Sequence, residues 1–235
     1  MENVIAEVRA ALEASADEKT KSTSQHVFKE KITFYGVRVP VVNHIGKEFF
    51  AKVQDKPKAE LFRLCEELWQ SGYIEESFIA CNWSYYIRDR YEREDFYVFE
   101  RWVDAYVTNW ASCDTLCNHT VETFIEMFPD FSDKLQAWAK SDNRWMKRAA
   151  AVTFIIPARK GLFPDDIFAI ADILLTDPDD MVQKGYGWML KTTSEAYQEK
   201  VFRYVMEHKD IIPRTALRYA IEKMPAELKA RAMAK

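Results

Sequence analysis

Four residues of mixed chemistry stand at nearly even spacing. Asp114, Arg148, Lys184 and Arg218 are separated by 34, 36 and 34 positions. Trp110 and Arg144 come four residues before the first two, and Trp188 comes four after Lys184, so each pair shares a helix face one turn apart. Such a set would line one wall with aromatic rings, cations and a single carboxylate. An exposed indole face attracts cations and stacks on flat or sugar surfaces. Basic side chains neutralise phosphates and release their counterions.

Other constellations carry less. Cys113-x3-Cys117-x-His119 offers sulfur and nitrogen donors but has no compact second pair at zinc-ligand spacing, and two cysteines one turn apart on an apolar face usually pack. His26, His44, His119 and His208 are scattered and form no dyad, which leaves a thiol enzyme built on Cys113 or Cys117 without a base. Gly185-Tyr186-Gly187 is too short for a phosphate loop and lacks its lysine. No metal or cofactor is implied.

The elements that must position the wall are helices. In 61–69 the apolar residues fall at 61, 64, 65, 68 and 69, one face of a 3.6-residue period. Similar stripes cover 96–107, 120–128, 135–138, 149–156 and 202–205, and place Trp69, Trp102 and Trp138 in the core. Breaks at 55–57, 128–130, 141–143, 164–166, 177–179 and 212–213 are rich in Pro, Asp, Ser and Asn. These residues start and stop helices because Pro lacks a donor and the others accept first-turn N–H bonds. Strand signals are nearly absent, so the fold class is all-α. A period of about 34–40 residues filled by two helices marks TPR-like or HEAT-like arrays. Residues 1–235 are expected to form one such domain, a right-handed stack of antiparallel helix pairs curved into an α-solenoid with a concave binding face.

Composition sets bounds on this reading. The amino-terminal segment places Glu2, Glu7 and Glu13 among apolar residues, an amphipathic helix rather than a secretory or transit peptide, and no apolar run reaches membrane length. Cys65, Cys81, Cys113 and Cys117 are then most simply reduced thiols in a cytoplasmic protein. The net charge of −4 is uneven. Residues 1–140 hold 17 basic and 24 acidic side chains, and residues 141–235 hold 16 and 13, so the second part carries +3. A local cationic face is what a duplex requires.

Four segments, in order, resemble the AlkD-type DNA glycosylases: Tyr35-Gly36-Val37-Arg38-Val39-Pro40, Asn109-Trp110-Ala111-Ser112-Cys113-Asp114, residues 141–150 around Asn143-Arg144-Trp145-Met146-Lys147-Arg148, and residues 183–191 around Gly187-Trp188. The resemblance spans nearly the whole chain. It implies a HEAT-like stack that excises N3- and N7-alkylated purines from duplex DNA, with Asp114 as catalytic aspartate, Trp110 and Trp188 against the sugar, and Arg148 on the DNA backbone. Asn109 departs from the paired tryptophans frequent in the family. Val27, with Phe28 beside it, stands where the family has an aromatic near the lesion.

The chemistry is consistent with so small a set. A purine alkylated at N7 or N3 is already a cationic leaving group and needs no general acid. Its departure leaves an oxocarbenium-like sugar. One carboxylate can oppose that charge and orient water, while Trp110 and Trp188 add cation–π attraction. Arg148 would hold phosphate with Lys184 and Lys191, and Arg144, Lys147 and Arg218 extend the DNA-binding set. An open wall suits a monomer, and the resemblance implies contact with the backbone and sugar of a base left in the stack. The alternative is a HEAT-like module that binds damaged or bent DNA, or a protein partner, without chemistry. The carboxylate favours catalysis, because a surface that only binds phosphate does better without one.

Overall fold

A computed structural model describes residues 3–234; Glu2 lies outside them. The chain forms two compact units, one through Thr120 and one from Val121. The first holds α1 (Val4–Ala14), α2 (Glu18–Gln25), α3 (Val39–Phe50), α4 (Lys58–Gln70), α5 (Ile74–Tyr86), α6 (Asp95–Tyr106) and α7 (Trp110–Leu116). The second holds α8 (Glu122–Met127), α9 (Lys134–Ala139), α10 (Arg144–Val152), α11 (Ile155–Arg159), α12 (Pro164–Leu174), α13 (Asp180–Ala196), α14 (Gln198–Glu207), α15 (Arg214–Ala220) and α16 (Ala226–Met233). Among the described residues the extended pairing is a single bridge between Thr33 and Tyr73. The fold is all-α. No helix among these residues is long and apolar enough to cross a membrane.

The repeat is visible in the helix starts. Residues 38, 73, 109, 143, 179 and 213 immediately precede α3, α5, α7, α10, α13 and α15, at intervals of 34–36. Asn109, Asn143 and Asp179 cap their helices with side-chain oxygens that accept first-turn N–H bonds. Asp114, Arg148, Lys184 and Arg218 each stand five residues beyond such a start, which accounts for their even spacing. Within the first unit α3 packs on α5 and α5 on α7. Within the second, α10 packs on α13 and α13 on α15.

Apolar stripes close the gaps between helices. On α4, Leu61, Leu64, Cys65, Leu68 and Trp69 are all buried, as their spacing requires, and Phe62 joins them edge-on to Phe99 and Trp102 of α6. Each large apolar side chain removed from water contributes about 1.5–3 kcal/mol. Trp69, Trp102 and Trp138 are core residues. The 149–156 stripe is not one helix: α10 ends at Val152 and α11 begins at Ile155. Pro157 explains the break. Inside a continuous helix its ring would meet the carbonyl of residue 153, whereas in the first turn of α11 its missing N–H has no partner to lose.

Candidate functional site

In the first unit the candidate residues belong to α7. Asn109 is buried and holds the helix start from both ends of its amide. Its Oδ1 accepts from the Ser112 N–H at 2.9 Å and its Nδ2 donates to Ser112 Oγ at 3.1 Å. The position is therefore a helix cap. Ser112 Oγ also lies 2.6 Å from Ser77 Oγ, tying α7 to α5 inside the core. Trp110 becomes the first helical residue and Asp114 follows one turn later on the same face, both half-buried.

The ring of Trp110 stacks on Phe28 with centroids 5.4 Å apart and planes 22° apart, and Phe28 leans on Phe34 at 5.8 Å. Val27 is exposed, so the aromatic of this segment is Phe28. A cleft of about 190 Å³ opens beside the pair, lined by Phe34, Ile74, Phe78 and Ala111 among others.

The Tyr35–Pro40 segment reaches the same cleft through Val37 and Val39. Glu75, buried at the start of α5, fixes its backbone. The carboxylate accepts N–H bonds from Tyr35 (3.2 Å), Gly36 (2.9 Å) and Val37 (3.0 Å). Gly36 takes φ +97°, and a Cβ there would come within 2.7 Å of the Asp17 carbonyl, so the position admits only glycine without strain. The Tyr35 hydroxyl donates to Glu76 at 2.7 Å. Burial first, and then this carboxylate, push its pKa well up.

In the second unit the basic residues meet an acidic turn. Arg144 Nη2 donates to Asp179 at 2.9 Å. Its Nε lies as close to the other oxygen without lining up as a hydrogen bond, and the guanidinium lies over Trp145. Lys147 pairs with Asp177 at 2.8 Å and Lys184 with Asp180 at 3.2 Å. Arg148 is only 5% exposed, and its Nη1 donates to the Met181 carbonyl at 2.6 Å. Trp188 is half-buried further along α13. Lys191 pairs with Glu222 at 3.1 Å and lies over Tyr219, and Arg218 is exposed on α15. Gly185 and Gly187 are packing residues. A Cβ on Gly185 would press on Arg148 Cγ at 3.3 Å, and one on Gly187 would strike Tyr219 and the Ala216 backbone.

The structure thus brings Trp110 and Asp114 together on α7. It gathers Arg144, Lys147, Arg148 and Lys184 around the α10–α13 contact. The two cysteines weighed as nucleophiles or ligands, Cys113 and Cys117, are fully buried and unavailable to substrate. Among the described residues no group of three or more His, Cys, Asp or Glu side chains is arranged to hold a metal. Ser77 and Glu75 were not foreseen from sequence, and Phe28 was noted only as the neighbour of Val27. The signal for Glu75 was an acidic pair, Glu75-Glu76, at the head of an otherwise apolar helix.

The family model described as DNA alkylation repair enzyme matches residues 8–224 of the chain. The chain belongs to that family. Repair of alkylation damage, and with it contact to DNA, is therefore the family's province and this protein's. Three solved chains match. One, titled "Predicted DNA alkylation repair enzyme from Enterococcus faecalis", superposes with a TM-score of 0.82 at 17% identity, covering 90% of this chain and 98% of that one. At that identity the likeness is one of fold, and it agrees with the helical-repeat architecture expected of the family. A comparison with curated proteins returns no match.

Proposed function

We propose that this protein is a monofunctional DNA glycosylase that hydrolyses the N-glycosidic bond of positively charged N3- or N7-alkylated purines in duplex DNA. The observation that carries the reading is the pairing of Trp110 and Asp114, one turn apart on a capped helix, both still partly open. A cationic base leaves without prior protonation. The task left to the protein is to stabilise an electron-poor sugar and deliver water to it. Asp114 supplies the negative charge and accepts a proton from the attacking water. The bond from C1′ to the base nitrogen breaks with its electron pair going to the base, and a bond from C1′ to the water oxygen forms. Trp110 stabilises that cationic sugar through its ring face, and Trp188 is the second indole assigned to sugar contact by the family resemblance.

Arg144, Lys147, Lys184, Lys191 and Arg218 hold phosphates and set the register of the duplex, while Arg148, expected from sequence to do the same, is buried and donates to the Met181 carbonyl, so it reaches phosphate only if that contact opens. For Arg144, Lys147 and Lys184 this means exchanging Asp179, Asp177 and Asp180 for phosphate oxygens. The protein acts as a cytoplasmic monomer without metal or cofactor. Incubation of the purified protein with methylated duplex DNA should release free 7-methylguanine and 3-methyladenine. Binding of that DNA without release of either base would replace the glycosylase reading with that of a module that recognises DNA without excision.

A further inference from the structure

We propose that Phe28 is the positioning residue for Trp110: it fixes the plane and depth of the indole, and its functional consequence rests on the glycosylase reading. In a helix, side chains lean back toward the amino terminus and rest on the preceding turn. Trp110 is the first residue of α7, so no preceding turn exists to support its ring. Support must come from another element. The one stacked on it is Phe28, from the irregular segment after α2, at 5.4 Å and 22°.

That segment is itself pinned. Gln25 spans it, donating from Nε2 to the Glu30 carbonyl at 2.9 Å and accepting from the Ile32 N–H at 3.3 Å. Beyond it, the Ile74 N–H donates to the Thr33 carbonyl at 3.1 Å, fixing the segment to the head of α5. Phe34 backs Phe28 from the core. An indole has two faces, and Phe28 covers one. A sugar or base that stacks on Trp110 must use the opposite face or displace Phe28. A ring held this way has lost its rotational freedom before substrate arrives, so its contact with the developing cation needs no reorganisation at the moment of reaction.

The test compares Phe28→Leu, which keeps apolar bulk but removes the ring face, with Phe28→Tyr, which keeps the ring. Single-turnover release of 7-methylguanine from methylated duplex should slow about tenfold in Phe28→Leu, the scale of one lost aromatic stack. DNA affinity should stay within about twofold, because stacking on the indole, unlike phosphate contact, carries little of the duplex binding. Phe28→Tyr should release at close to the wild-type rate. In parallel, protein labelled with 5-fluorotryptophan reports the indole directly, its Trp110 resonance assigned through Trp110→Phe. That resonance should move in Phe28→Leu and stay in place in Phe28→Tyr. An unmoved resonance, wild-type release by Phe28→Leu, or equal slowing in both variants would overturn the proposal. If the wild type releases no base while the resonance still moves in Phe28→Leu, the glycosylase reading fails and the positioning of Trp110 by Phe28 stands.

Discussion

Replacing Glu75 should unfasten the segment that borders the Trp110 cleft. Its carboxylate accepts three backbone N–H bonds, two on Oε1 from Gly36 and Val37 and one on Oε2 from Tyr35. Hydrogen bonds to a charged group contribute about 1.5–3 kcal/mol each, and an unsatisfied buried donor costs about 1–3 kcal/mol. In Glu75→Gln the single remaining oxygen can keep Gly36 and Val37, but the amide nitrogen then faces the Tyr35 N–H, donor against donor. The expected loss is about 2 kcal/mol. Glu75→Ala abandons all three donors and leaves a void, and the loss should reach about 3–5 kcal/mol. Urea unfolding of the two variants beside wild type measures both numbers. A Glu75→Ala protein within about 0.5 kcal/mol of wild type would refute the claim that this carboxylate organises the Tyr35–Val37 backbone.

Three further expectations follow from the same geometry. Asn109→Ala should cost about 1–2 kcal/mol through loss of the α7 cap, and Asn109→Ser should recover most of it, as read from denaturation midpoints. Gly187→Ala should destabilise by about 1–3 kcal/mol, because its Cβ would lie 2.7 Å from Tyr219 Cβ and 3.0 Å from the Ala216 carbonyl; an unchanged melting temperature would count against the close α13–α15 contact. Burial, and then the adjacent Glu126 carboxylate, push the Glu122 carboxyl from its ordinary value of 4.5 up to about 7, with Lys160 opposing them. A folded pKa above the unfolded one favours folding at low pH. This contribution is full below about 4.5 and fades as pH rises through 7, so Glu122→Gln should flatten the pH dependence of melting in that window and raise stability at pH 8 relative to wild type.

Local signals in the sequence proved sufficient where the structure is local. The starts of α10 and α13 were legible because Asn143 and Asp179 carry the acceptors that a helix start needs within three residues. The α4 stripe was legible because a 3.6-residue period has only one buried face. Helix α2 was not, since its eight residues carry no apolar stripe and it begins at the Asp17 cap beside the Gly36 turn. The pairing of Arg144 and Lys147 with the Asp177–Asp179 turn was equally hidden. Those partners lie 30 and 35 residues apart in sequence and meet only because α10 packs on α13. Longer separations hid Glu75 from Gly36 and Phe28 from Trp110. Side-chain type suggested that Asp114, Trp110 and the cations could do chemistry, but what holds each of them is a property of the packed helices.

The central claim is that Asp114 supplies the charge for base release, and Asp114→Asn tests it most directly. The change keeps the shape of the side chain and removes its charge. Single-turnover release of 7-methylguanine from methylated duplex should fall by at least about a hundredfold, the scale of losing one preorganised electrostatic partner of the transition state. Affinity for the same duplex should remain within about twofold, because a carboxylate contributes nothing to phosphate binding. Release by Asp114→Asn at the wild-type rate would contradict the account and remove Asp114 from the chemistry.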